Sequence, residues 1–233
     1  MKTSRFELIA IIGLVFFFSG SFGSSVFAFN ETHYYFGLKG VYHYPGGDFD
    51  GKSSGFINVK NDIASYTLEY LRCELEDNYG AGITFGGYND FAAGEISYSQ
   101  SKHGLIWNDV KQEDIDEAVF NLLNLDLKFF TPNSTEKKIK PYGQLGLLAS
   151  TLSIKYGATD GIEIDKAFYS GYGYDLGFGI MMNIGKRLIL DGSVNYQKII
   201  FNELKTLGVR VDIPENLCLT TRTYNLGIRY CFK

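Results

Sequence analysis

Three histidines, His33, His43 and His103, are the side chains of this sequence best suited to general-base chemistry. Acyl transfer needs a nucleophile and an orienting acid within reach of such a base. His43 stands beside Tyr44 at the outer end of the first predicted strand, and His103 follows Ser99 and Ser101 in a predicted loop. His33 and His43 fall on one face of a predicted strand but ten positions apart, too far to share a metal ion. Cys73, Cys218 and Cys231 sit at unrelated spacings, which suggests neither a disulfide framework nor a zinc site and leaves their pairing open. Asp48, Asp50 and Asp62 carry charge suited to divalent cations, without the spacing of an EF-hand loop. The expectation is a protein with no catalytic residues, no metal site and no cofactor.

The elements that would have to position any such site are strands. From Tyr224 every second residue is large and apolar (Tyr224, Leu226, Ile228, Tyr230, Phe232), while Asn225, Gly227, Arg229 and Cys231 intervene. A period of two marks a strand with one face in apolar surroundings. The same alternation predicts seven earlier strands: Tyr34 to Tyr44, about Ser65 to Leu75, Tyr79 to Gly87, about Val119 to Phe130, Pro141 to about Ile154, about Ser170 to Ile184, and Leu188 to Gln197. Between them lie a turn-rich segment (Pro45 to Asp62), a tight turn at Asp77-Asn78, and a long polar stretch (Tyr88 to Glu117). Thr131 to Lys140, Gly185-Lys186-Arg187 and Lys198 to Leu219 are further connections. They alternate long and short, as in an eight-stranded membrane barrel with four outer loops and three inner turns.

Alternation alone does not say which face points inward, since a soluble barrel also alternates. The polar face is rich in glycine: Gly80, Gly82, Gly86, Gly171, Gly173, Gly177, Gly179 and Gly227. Glycine weakens a water-facing strand, but a lumen about one side chain wide needs small residues. Aromatics crowd the strand ends, as girdles at two bilayer interfaces require. The predicted fold is an all-β, eight-stranded antiparallel up-and-down transmembrane β-barrel. Its lumen would hold Lys39, Glu69, Asp126, Lys128, Asp175, Asp191 and Arg229, with Gln144, Asn183, Asn195 and Asn225. Buried charges must pair, so a closed plug of ion pairs is expected, with a narrow solute pathway as the alternative.

The second predicted outer loop is the most acidic segment, with Glu95, Asp109, Glu113, Asp114, Asp116 and Glu117 against Lys102 and Lys111. It also holds Trp107. The formal net charge of −4 offers no basic stripe for nucleic acid. At the N-terminus, Lys2 and Arg5 precede an apolar stretch from Leu8 to Phe18 and small residues ending in Val26-Phe27-Ala28. That is the pattern of a cleaved secretory signal peptide over residues 1–28, leaving a barrel domain over 29–233.

The runs Pro141-Tyr142-Gly143-Gln144-Leu145-Gly146-Leu147 and Gly171 to Gly179, with the closing strand, resemble the small OmpA-, OmpX- and OmpW-like outer-membrane barrels, the porin family in the broad sense. Asn225, Gly227, Tyr230 and Phe232 match the C-terminal insertion signal of such barrels, apart from the trailing Lys233. The resemblance implies an envelope protein of a Gram-negative-type outer membrane with lipid around it. It also implies periplasmic chaperones and the barrel-assembly machinery as partners during biogenesis. Deacylases on this scaffold carry a His-x-Ser pair on a late strand, and no histidine follows His103 here. A structural role with loop display is therefore expected, with a small-solute pore next and lipid-modifying enzymology last. The ligand of the loops and the oligomeric state stay open. N-terminal sequencing of the membrane-extracted protein should read from Phe29, whereas a start at Met1 would mean that the apolar stretch is retained as an anchor.

Overall fold

The computed structural model describes residues 32–49, 52, 54–60, 65–71, 74–107, 110–111, 117–131, 138–155, 166–206 and 209–232. The predicted leader lies outside the described residues, as do Cys73, Asp109, Glu113, Asp114 and Asp116. In chain order the strands are β1 (His33–Gly47), β2 (Ser54–Lys60), β3 (Ser65–Leu71), β4 (Glu74–Leu75), β5 (Asn78–Tyr88) and β6 (Ala92–Trp107). Then come β7 (Val110–Lys111), β8 (Glu117–Phe130), β9 (Ile139–Lys155), β10 (Lys166–Asn183), β11 (Leu188–Thr206) and β12 (Val209–Phe232). Eight of them form the wall in the order β1-β5-β6-β8-β9-β10-β11-β12, every pair antiparallel. The ring closes where β1 pairs β12, from Tyr34 opposite Phe232 to Gly47 opposite Leu219.

The eight wall strands are not the eight expected from the sequence. The predicted second strand, Ser65 to Leu75, lies outside the wall: β3 pairs β2 in a separate hairpin, and β4 adds to the outer end of β6. Glu69 therefore lies on β3, opposite Phe56, and not on the barrel wall. Its place is taken by β6, drawn from the polar stretch expected to be a loop. In β6 the inward residues Glu95, Ser97, Ser99, Ser101 and His103 are all buried, while Ile96, Tyr98, Gln100 and Lys102 face out. Both faces carry polar residues toward the outer end, which hides the alternation from any hydrophobicity reading. Asp77-Asn78 is the entry into β5, and the tight inner turn is at 89–91, where Asn89 Oδ1 accepts from the backbone N–H of Phe91 and Ala92. The expected last loop, Lys198 to Leu219, is instead the paired continuation of β11 and β12, with only 207–208 between them.

Polarity along the barrel inverts at one level. In the lower part the outward face is a belt of exposed apolar side chains, among them Phe36, Leu38, Phe85, Leu127, Leu145, Leu176, Phe178, Leu226 and Ile228. Tyrosines Tyr42, Tyr79 and Tyr224 cluster at its upper rim, with ring centroids 4.8 and 6.3 Å apart. Nine consecutive positions on a strand tilted by about 40°, as from Tyr224 to Phe232, span about 21 Å along the barrel axis, close to the apolar height of about 25 Å of an outer-membrane barrel. Above the tyrosines polar side chains such as Lys102, Asn202, Lys205 and Arg222 face outward, with Phe168, opposite Lys205, as an apolar exception. There the interior becomes an apolar core of Phe49, Leu75, Leu105, Phe120, Leu152, Ile154, Tyr169, Ile199, Phe201, Leu204, Leu217 and neighbours. A membrane barrel thus continues outward as a barrel built on the water-soluble plan.

Wall glycines make room for side chains from neighbouring strands. A Cβ at Gly86 would lie 2.7 Å from the Tyr35 hydroxyl, and one at Gly179 would lie 2.5 Å from that of Tyr142. Leu176→Arg, in the middle of the belt, should lower unfolding free energy in lipid vesicles by about 2–4 kcal/mol. Asn202→Arg, above the inversion, should change it by no more than about 0.5 kcal/mol. Equal effects on urea titration would place the bilayer elsewhere.

Candidate functional site

Inward positions of six wall strands converge near the inner end of the lumen. β1 supplies Tyr35, β6 Glu95, β8 Lys128, β9 Tyr142, β11 Asp191 and β12 Arg229, and all six are buried. One carboxylate oxygen, Glu95 Oε2, accepts from Tyr35 OH at 2.8 Å, Lys128 Nζ at 3.0 Å and Arg229 Nη2 at 2.7 Å. Asp191 Oδ2 lies 3.1 Å from Arg229 Nη2 and 3.7 Å from Lys128 Nζ, and Tyr142 OH donates to the same carboxylate at 3.0 Å. The Arg229 guanidinium also lies 4.7 Å over the Tyr35 ring, and Lys128 Nζ 4.9 Å over that of Tyr142. Two cations and two carboxylates balance, and charge-assisted bonds in a low-dielectric interior are strong when fully paired. Below them Tyr35, Ala93, Phe130, Tyr142, Met181, Ile189 and Cys231 form an apolar floor.

The middle layer is built around Asp175, fully buried on β10. Its oxygens accept from Gln144 Nε2 at 3.2 Å, Asn195 Nδ2 at 2.9 and 3.0 Å, and Gln197 Nε2 at 2.9 Å. The chain continues upward: Thr223 OH donates to Gln197 Oε1 at 3.0 Å, so it accepts from His43 Nδ1 at 3.2 Å. Lys39 Nζ donates to Ser97 Oγ at 2.8 Å, and Asn225 Nδ2 to Ser193 Oγ at 3.1 Å. Between the two layers a cavity of about 20 Å³ remains, lined by Lys39, Thr84, Asn124, Asp126, Asn195, Arg229 and neighbours. That volume takes one or two water-sized occupants and no organic solute.

His103, expected in a loop behind Ser99 and Ser101, lies instead on β6, two positions from Ser101 on the same inward face. Ser101 Oγ and His103 Nε2 are 2.8 Å apart, and His103 Nδ1 is 2.7 Å from the Glu76 carbonyl. Because a carbonyl only accepts, Nδ1 carries the proton and Nε2 accepts from the serine hydroxyl. Both residues are buried inside the wall, against Phe120 and under the apolar outer core. The pair joins β4's approach to β6 and has the features of an internal strut. Among the described residues no cluster of three or more His, Cys, Asp or Glu is arranged to hold a metal.

Of the residues expected in the lumen, Lys39, Asp126, Lys128, Asp175, Asp191, Asn195 and Arg229 all point into it, as do Gln144, Asn225 and Gly227. Tyr230 and Phe232 face outward in the belt, and Asn183 lies at the inner mouth near His33 and Cys231. Glu95, assigned from the sequence to an acidic outer loop, is the acceptor shared by three lumen donors. The run Glu95-x-Ser97-x-Ser99-x-Ser101-x-His103 is the signal that would have placed it, a polar period of two without an apolar partner face. Tyr35 and Tyr142 complete the lumen set, and an aromatic on a strand carries no sequence signal that separates lumen from belt. Cys218 and Cys231 are free and lie thirteen positions apart on β12, Cys218 mid-strand and Cys231 at the inner end, roughly 44 Å along the strand, so they do not pair with each other.

No protein-family model matches this chain, and no curated protein sequence matches it. Solved structures do. Neisserial surface protein A superposes with a TM-score of 0.54 at 11% identity, covering 87% of this chain and 100% of that one. Outer membrane protein AlkL gives a TM-score of 0.51 at 14% identity over 88% of this chain and 92% of that one. The outer membrane protein OprG from Pseudomonas aeruginosa gives 0.50 at 17% identity over 85% and 95%. At such identities the likeness is one of fold, and the fold is that of the small outer-membrane barrels. Glu95→Ala would strand Lys128 and Arg229 with one carboxylate between them and should cost about 3–5 kcal/mol in equilibrium unfolding. The exposed Lys186→Ala serves as reference, and indistinguishable values would show that the carboxylate does not hold the lumen together.

Proposed function

We propose that this small barrel is a non-enzymatic integral outer-membrane protein of a Gram-negative-type bacterium: a sealed anchor that strengthens the envelope and holds an outer barrel extension and its loops at the cell surface. The observation carrying the reading is the filled lumen. Side chains from six wall strands cross-link it near the inner end, the cavity above them is about 20 Å³, and an apolar core closes the outer end. A solute path would need both layers to separate, and nothing favours that arrangement over the packed one.

The apolar belt supports outer-membrane lipid as the permanent surrounding. The apolar stretch from Leu8 to Phe18 and the small residues ending at Ala28 support export by a leader over residues 1–28, and the alternating C-terminal strand supports chaperoned transit and insertion by the barrel-assembly machinery. Nucleic acid has no place in this reading. Recognition, where it occurs, belongs to the outer extension, whose outward face is polar and whose β2–β3 hairpin lies apart from the wall sheet.

Planar-bilayer recording on refolded mature protein, with a heat-shifted gel band as the folding control, tests this reading. Folded protein should give no discrete openings. Steady unitary steps would replace the sealed anchor with a small-solute pore.

A further inference from the structure

We infer that the lumen cavity is a binding site for a single monovalent metal cation, Na⁺ or K⁺, held by Asp126, Asn124, Asn195 and Thr84. This does not depend on whether the barrel displays loops or conducts.

The charged side chains lining the bilayer-level lumen do not balance. Glu95, Asp126, Asp175 and Asp191 are carboxylates, whereas Lys39, Lys128 and Arg229 are cations, leaving one negative charge in excess; the buried Lys140 at the inner mouth is set against Asp90 at 3.8 Å and does not alter the difference. Glu95 and Asp191 are matched by Lys128 and Arg229 through contacts of 2.7 to 3.7 Å. The excess therefore falls on the upper half, where Asp175 is held by three neutral amides and Lys39 donates to Ser97. Asp126 forms no ion pair among the described residues, although an uncompensated carboxylate in a dry interior is very costly.

The orphaned atoms are of the matching kind. Asp126 Oδ1, Asn124 Oδ1, Asn195 Oδ1 and Thr84 Oγ1 are buried without a hydrogen-bond partner, and all four residues line this one cavity. Each residue is more than nine-tenths buried. They come from β5, β8 and β11, so the site exists only once the ring has closed. Hard oxygen donors of carboxylate, amide carbonyl and hydroxyl type suit a hard cation. Three cationic side chains line the same cavity, which disfavours a divalent ion, while a single positive charge cancels the excess. Arg229 Nε and Nη1 are also buried without partners, and Arg229 is among the residues lining the cavity. Its volume of about 20 Å³ takes the ion together with one water that accepts from the guanidinium.

Crystals of the refolded protein grown with Rb⁺ or Tl⁺ should show one anomalous peak within coordination distance of Asp126 Oδ1 and the two asparagine carbonyls. In solution, NaCl or KCl titrated at constant ionic strength against N-methylglucamine chloride should raise the heat-modification midpoint saturably, by about 3 °C. Asp126→Asn removes the excess charge and should abolish both signals. Asn124→Ala should weaken the ion dependence and serves where Asp126→Asn does not fold. An absent peak, a peak undiminished in Asp126→Asn, or equal stabilisation by the organic cation overturns the site.

Discussion

The pairing of β1 with β12, from Tyr34 opposite Phe232 to Gly47 opposite Leu219, is the constraint on which the other features depend. In hydrocarbon an unpaired strand edge is untenable, because each unsatisfied backbone group costs several kcal/mol. Closing eight strands removes both edges and simultaneously defines an interior about one side chain wide. That narrow interior must be filled, and its filling must be satisfied chemically. The wall glycines beside Tyr35 and Tyr142, the shared acceptor Glu95 and the amide cradle of Asp175 are all answers to that requirement.

The inversion of polarity along the axis follows from the same closure meeting two solvents. Within the bilayer the outside is apolar, so polar side chains pair in the lumen. Beyond the tyrosine rim the outside is water, and the closed wall continues with Leu, Ile, Phe and Tyr inside. Phe49, just past the end of β1, reaches into this upper core and packs edge-on against Tyr169 and Phe201. Gly47, in the left-handed backbone region at φ 99°, lets the chain leave β1 there, where a Cβ would meet the Cys218 carbonyl. The first outer loop is thereby tied to the wall at its root.

Two layers of different chemistry thus occupy one tube. The lower one is ionic and its pairs hold strands from around the ring at fixed separations. The upper one is apolar and contributes by burial. The Ser101–His103–Glu76 chain lies where they meet, and its resemblance to a catalytic pair ends at its burial. A nucleophile and base at hydrogen-bond distance are necessary for acyl transfer, but a substrate must also reach them.

The sequence by itself determined the class of fold, the membrane-facing residues and the polarity of most wall strands, because a period of two is a local property of the chain. β1, β5, β8, β9, β10 and the ends of β11 and β12 are legible in this way. Tertiary structure alone decided which segment fills the third wall position. Ser65 to Leu75 alternates weakly, but its Ser65–Leu71 part pairs β2 outside the wall and Glu74–Leu75 joins the outer end of β6, whereas Ala92–Trp107 reads as polar and pairs both β5 and β8. A strand whose outward face partly meets water and whose inward face meets ions carries no hydrophobic signal. Only the register with its neighbours places Glu95 opposite Asp126 and within reach of Tyr35, Lys128 and Arg229. Charge balance in the lumen is likewise a property of the closed ring, since its members lie up to 190 positions apart and meet only across the tube.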